Sequence, residues 1–115
     1  MMQAAGMKVI GYTSCGYEGR GSGGGQPLSM FTLASVKKQI TNMAQLDGVN
    51  GVFIDEVDAY PSATQKQYLK ELSTLAHSLG IVIWGNTGVN SFDAWFFGDG
   101  GFDFVHSTEQ WTGQA

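Results

Sequence analysis

The chain of 115 residues has little positive charge and almost no cysteine. Six Lys and Arg residues against ten Asp and Glu give a formal net charge of -4 at pH 7. Nucleic acids and anionic membrane surfaces bind cationic faces, so neither is expected as the main partner. Cys15 is the one cysteine. It excludes an internal disulfide and a zinc site built from cysteines.

Long apolar runs are also missing. No stretch reaches the roughly 20 apolar residues of a membrane-spanning helix, and no basic segment followed by an apolar one resembles a signal peptide. We therefore expect neither feature in this chain. Hydrophobic residues make up 43% of the sequence and charged residues 14%, a balance typical of a folded domain. The length predicts one domain spanning residues 1–115.

The segment from Gly51 to Ser62 has the clearest chemical character. Its apolar run Val52–Ile54 leads directly into Asp55 and Glu56. Such a run predicts a strand covered on both faces, as in parallel α/β sheets. Ionised carboxylates are rarely buried without partners, so both acids are expected at the open carboxyl end of the strand, where α/β proteins place their chemistry. The alternative is that one acid caps a helix or pairs with a Lys or Arg.

Apolar periodicity predicts strands that alternate with helices. The strands are predicted at 7–13, 52–57, 81–84 and 102–107, and the helices at 28–46, 62–79 and 91–97. This order predicts an α/β fold with a parallel sheet and right-handed crossovers. The polar ends of the four strands would then share one rim.

The glycine-rich segment 16–26 is predicted to be a flexible loop, either a lid or a linker. Gly19, Gly21 and Gly24 match the spacing of the dinucleotide-binding fingerprint. That fingerprint requires a tight turn from strand to helix, whereas no helix can begin here before Pro27. Neither a bound nucleotide nor any other cofactor is predicted.

Glu109 follows the fourth predicted strand and would lie on the same rim as the Asp55 and Glu56 pair. If the strands pair in sequence order at about 4.8 Å per strand, the ends of the second and fourth strands would lie about 10 Å apart. Their carboxylates would be separated by about 5 to 9 Å, the span that glycoside hydrolases use. One carboxylic acid would protonate the leaving oxygen, and one carboxylate would act as nucleophile or base. Strand alternation places Asp55 and Glu56 on opposite faces unless the strand bends.

Other side chains at the rim suggest additional roles. Tyr12, Tyr17 and Trp111 could stack against the apolar face of a sugar. A metal site of Asp55, Asp58 and His106 fits by composition, but no helix carries ligands three or four residues apart, so no metal is predicted. His106 by itself is expected to be a hydrogen-bonded core histidine.

Several motifs resemble the spherulin-4 (spherulation-specific family 4) proteins. The segment Gly51–Val57 is similar to that family's strand ending in Asp-Glu, and the segment from His106 to Trp111 resembles its late strand ending in Glu. Asn86–Gly88 is similar to an Asn-Pro-Gly-Thr turn but lacks the proline. The family's first motif is matched by Ala4-Ala5-Gly6, Gly11-Tyr12, Gly16-Tyr17 and Arg20.

The resemblance implies a partial (β/α)8 TIM barrel of about four strands, because a complete barrel takes about 250 residues. It further implies a glycoside hydrolase that acts on amino-sugar polysaccharides such as galactosaminogalactan, outside the cell or at its surface. Carried over by position, Asp55, Glu56 and Glu109 would be the catalytic acids. The residues expected to contact the substrate are Tyr12, Tyr17, Arg20, Asn86 and Trp111.

A sheet of four parallel strands leaves two unpaired edges, which favours a partner. A second copy of the chain or a complementary barrel half could complete the barrel, or the chain could be a fragment. The alternative function is therefore a non-catalytic half-barrel that binds carbohydrate or takes part in assembly.

Overall fold

A computed structural model describes residues 9–16 and 32–107. The glycine-rich segment lies largely outside these residues. Four of the predicted site residues also lie outside them: Tyr17, Arg20, Glu109 and Trp111.

The described residues form an α/β fold whose four strands are all parallel, in the order β1-β2-β3-β4. The elements are β1 Ile10–Ser14, α1 Leu33–Asn42 with a π-helical continuation Met43–Asp47, β2 Gly51–Asp55, α2 Ala63–Ser78, β3 Val82–Asn86, a 3-10 helix Ala94–Phe97 and β4 Phe104–His106. This arrangement confirms the predicted alternation and is compatible with a partial barrel.

Among the boundaries that differ from the sequence prediction, two have a clear cause in local hydrogen bonding or backbone conformation. The helix predicted from residue 28 begins at Leu33, because Thr32 is extended and its hydroxyl accepts a hydrogen bond from the Ser35 N–H at 3.2 Å. The second strand ends at Asp55 instead of residue 57. Glu56 has a φ of 59° there, a left-handed conformation that ends the pleat.

The main core lies between the sheet and helices α1 and α2. Val52, Ile54 and Ile83 point to this face and are fully buried, as are Leu69 and Leu72 of α2. Burial of each such side chain contributes about 1.5 to 3 kcal/mol to folding. Within the described ranges, no helix is both long enough and apolar enough to cross a membrane.

None of the helices in residues 9–16 and 32–107 packs on the opposite face of the sheet, where the side chains form rows across the strands. The strand registers align four rings, here called the aromatic row: Tyr12, Phe53, Trp84 and Phe104. Successive ring centroids lie 6.0, 6.2 and 4.9 Å apart. One step closer to the carboxyl ends of the strands lies a second row, here called the polar row: Ser14, Asp55, Asn86 and His106.

Candidate functional site

The backbone bend at Glu56 brings both acids of β2 to the same rim. In a regular strand the Asp55 and Glu56 side chains would point to opposite faces. The left-handed Glu56 backbone breaks this alternation, and the Asp55 carboxylate accepts the Glu56 N–H at 2.8 Å. Asp55 contacts Tyr12 and Glu56 contacts Ser14, two residues of β1 that share one face. Two carboxylates therefore lie against the same neighbouring strand.

Asp55 is held by three hydrogen-bond donors. Its Oδ2 accepts from the Tyr12 hydroxyl at 2.6 Å. Its Oδ1 accepts from Asn86 Nδ2 at 2.9 Å and from the Glu56 N–H at 2.8 Å. Several donors aimed at one carboxyl group fix its orientation. The network therefore holds the Asp55 side chain in one direction at the rim.

The Tyr12 phenol is itself perturbed by this contact. Donation to Asp55, then burial, then the negative charges of Asp55 and Glu56 raise the pKa of Tyr12 to about 12. The hydroxyl consequently stays protonated and keeps donating at neutral pH. Its ring lies nearly parallel to that of Phe53, with an interplanar angle of 17°. Tyr12 thus acts on Asp55 directly, and its predicted contact with substrate remains a prediction.

Ser14 supports the second acid. Its hydroxyl donates to Glu56 Oε1 at 2.7 Å and also lies 3.4 Å from the Asp55 carbonyl oxygen. Ser14 is not among the site residues predicted from the sequence. Strand alternation could have identified it, because residues two positions apart share a face of a strand. Ser14 is the last residue of β1 and therefore lies on the same face as Tyr12.

Cys15 lies beneath the bend. It is fully buried, and its thiol lies 3.6 Å from the Asp55 carbonyl oxygen and 3.4 Å from that of Glu56. Burial, with a smaller contribution from the charge of Asp58, raises the pKa of the Cys15 thiol far above its ordinary value. The thiol therefore stays protonated and supports the backbone of the two acids without acting as a nucleophile.

The structure brings together four of the predicted site residues: Tyr12, Asp55, Glu56 and Asn86. Asn86 is 6% exposed and connects β3 to β2 through its bond to Asp55. Among the described residues, no group of three or more His, Cys, Asp or Glu side chains is placed to hold a metal ion. The predictions for Tyr17, Arg20, Glu109 and Trp111 lie outside the described residues.

Comparisons with known proteins give one positive result. Neither the curated proteins nor the solved structures contain a match to this chain. The family model described as spherulation-specific family 4 matches residues 1–114. A match over essentially the whole sequence agrees with the resemblance of the motifs, and the chain therefore belongs to spherulation-specific family 4.

Proposed function

We propose that the rim around Asp55 and Glu56 is the active site of a glycoside hydrolase that cleaves an amino-sugar polysaccharide. One observation carries the proposal: the bend at Glu56 places two adjacent carboxylates against one face of β1, each with its own hydroxyl donor. Family membership supports the same reading. It is also the basis for proposing that the protein acts outside the cell or at its surface, which fractionation of the source cells tests.

The chemistry requires two acids with different tasks. One protonates the leaving oxygen of the glycosidic bond, and an ionised carboxylate acts as nucleophile or base toward the positively charged sugar carbon. Asp55, with its three donors, is suited to the ionised role. Glu56 or Glu109 would then supply the proton. Tyr12 and Asn86 would keep the Asp55 carboxylate directed at the sugar.

The test compares three variants that remove a carboxylate with one control. Hydrolysis of a galactosamine-rich polymer is measured as released reducing ends for Asp55→Asn, Glu56→Gln and Glu109→Gln. We expect each to lower kcat/KM by about 10²-fold or more, the scale of a lost acid or base. Asp99→Asn removes an exposed acid from the loop before β4 and should leave the rate unchanged. Full activity in the Asp55 and Glu109 variants would overturn the assignment.

The exposed rings at the two ends of the aromatic row favour a second candidate, a non-catalytic half-barrel that binds carbohydrate or assembles with a partner. Tyr12 is 62% exposed and Phe104 47% exposed, and β1 and β4 are the edges of the described sheet. Open edges beside exposed apolar side chains favour association. We propose that a second copy of the chain or a complementary barrel half covers this face.

Light scattering and sugar binding distinguish the two candidates. A mass above that of the monomer supports association through the aromatic row. A mass equal to that of the monomer contradicts it. Binding of the polymer without release of reducing ends supports the non-catalytic module, whereas turnover supports the hydrolase.

A further inference from the structure

His106 occupies the fourth position of the polar row. It pairs in register with Asn86, and its neighbour two residues earlier, Phe104, packs its ring 4.9 Å from that of Trp84. Since alternate residues of a strand share a face, the His106 imidazole points to the same side of the sheet as the Asn86 amide. That amide in turn donates to Asp55. His106 therefore lies on the side of Asn86 away from Asp55.

The backbone of His106 is fixed, although β4 is an edge of the described sheet. Its carbonyl oxygen accepts hydrogen bonds from the Thr87 N–H at 3.0 Å, the Thr87 hydroxyl at 3.3 Å and the Gly88 N–H at 3.4 Å. The half-buried imidazole, in contrast, makes no hydrogen bond or ion pair with any residue in the ranges 9–16 and 32–107. The other histidine differs, because His77 Nε2 lies 2.8 Å from Asp103 Oδ2.

Buried polar side chains that serve only the fold normally have a hydrogen-bond partner. Neither ring nitrogen of the half-buried His106 has one among the described side chains, which leaves the imidazole accessible to a ligand. The sequence predicted a hydrogen-bonded core histidine. In the structure the backbone of His106 is anchored, and its half-buried side chain belongs to the polar row.

We propose that His106 is a substrate-binding residue on the β4 side of the rim, where it hydrogen-bonds an oxygen of the sugar held between it and Asp55. This inference rests on the proposed hydrolase function. Asp55 and His106 lie on strands separated by one strand, so their backbones are about 10 Å apart. Asn86 lies between them on β3, and a sugar placed over Asn86 could be contacted from both sides.

The experiment uses the two histidines as a matched pair. His106→Gln removes the imidazole from the rim, and His77→Gln removes the one that contacts Asp103. With galactosamine oligosaccharides we expect His106→Gln to raise KM about tenfold, the effect of one lost hydrogen bond to substrate, with a smaller change in kcat. His77→Gln should leave KM unchanged.

Nuclear magnetic resonance gives a readout that does not depend on turnover. A galactosamine oligosaccharide is added to the unsubstituted protein and to Asp55→Asn, both of which keep the two histidines. The imidazole ¹⁵N signals are followed in each titration. The His106 signals should shift and those of His77 should not. The measurement needs no histidine variant, so a His106→Gln protein that fails to fold does not weaken the test.

The outcomes separate this inference from the proposed function. If the His106 signals stay unchanged and His106→Gln keeps its KM, while Asp55→Asn loses hydrolysis, the role of His106 is wrong and the hydrolase stands. If the His106 signals shift but Asp55→Asn hydrolyses the polymer at full rate, His106 binds sugar and the catalytic assignment fails.

Discussion

Replacing Glu56 with glycine should stabilise the protein relative to replacing it with alanine. Both changes remove the carboxylate and its hydrogen bond from Ser14, but only glycine adopts the φ of 59° without steric cost. A left-handed conformation costs an L-residue about 1 to 2 kcal/mol, and the greater freedom of glycine in the unfolded chain offsets about 0.5 to 1 kcal/mol of that. Glu56→Gly is therefore expected to unfold with a free energy about 1 kcal/mol above that of Glu56→Ala.

Urea unfolding measures this difference. For an m-value of about 1 to 3 kcal/mol per molar, the midpoint of the glycine variant should be higher by about 0.3 to 1 M. The pair Lys38→Gly and Lys38→Ala is the control, since Lys38 is an exposed residue inside α1. There glycine should be less stable by about 1 kcal/mol. An alanine variant at position 56 that is as stable as the glycine variant, or more stable, would contradict the left-handed bend.

Three further outcomes follow from contacts around the sheet. Tyr12 should ionise near pH 12, so any stability that its hydrogen bond to Asp55 contributes is present below about pH 10 and is lost as the pH rises toward 12. Ultraviolet titration of Tyr12→Phe should lack the ionisation step near pH 12. A titration curve equal to that of the unsubstituted protein would contradict this prediction. Asp103→Ala should lower the free energy of unfolding by about 1 to 3 kcal/mol, because the Asp103 carboxylate accepts a hydrogen bond from the N–H of the fully buried Ile83. A decrease of less than about 0.5 kcal/mol, measured by urea unfolding, would refute this. Cys15 should react with a thiol reagent only after unfolding, so fast labelling of the native protein would show that it is accessible.

The sequence predicted the order of the elements and the strand that leads into Asp55. Apolar runs and helix caps are local signals, so the strand before Asp55 and the helix capped by Ser62 could both be located. The Ser62 hydroxyl accepts the Gln65 N–H at 3.2 Å, as its capping pattern indicates. Such signals depend on neighbours in the chain and need no tertiary information.

The details that define the site were not available from the sequence. Strand alternation left open whether Asp55 and Glu56 meet on one face, because a left-handed Glu56 is unusual for a residue with a side chain and depends on its surroundings. The role of Ser14 depends on the register between β1 and β2, which pairs it with Asp55. The position of His106 beside Asn86 likewise depends on the register of β4.

The central claim is that Asp55 and Glu56 form one catalytic rim. The most direct test measures reducing ends released from a galactosamine-rich polysaccharide by the protein with its natural Asp55 and by Asp55→Asn, with folding of both checked by thermal melting. We expect measurable turnover in the first and a loss of about 10²-fold or more in the second. Equal turnover by the two folded proteins, or none by either, would contradict the claim.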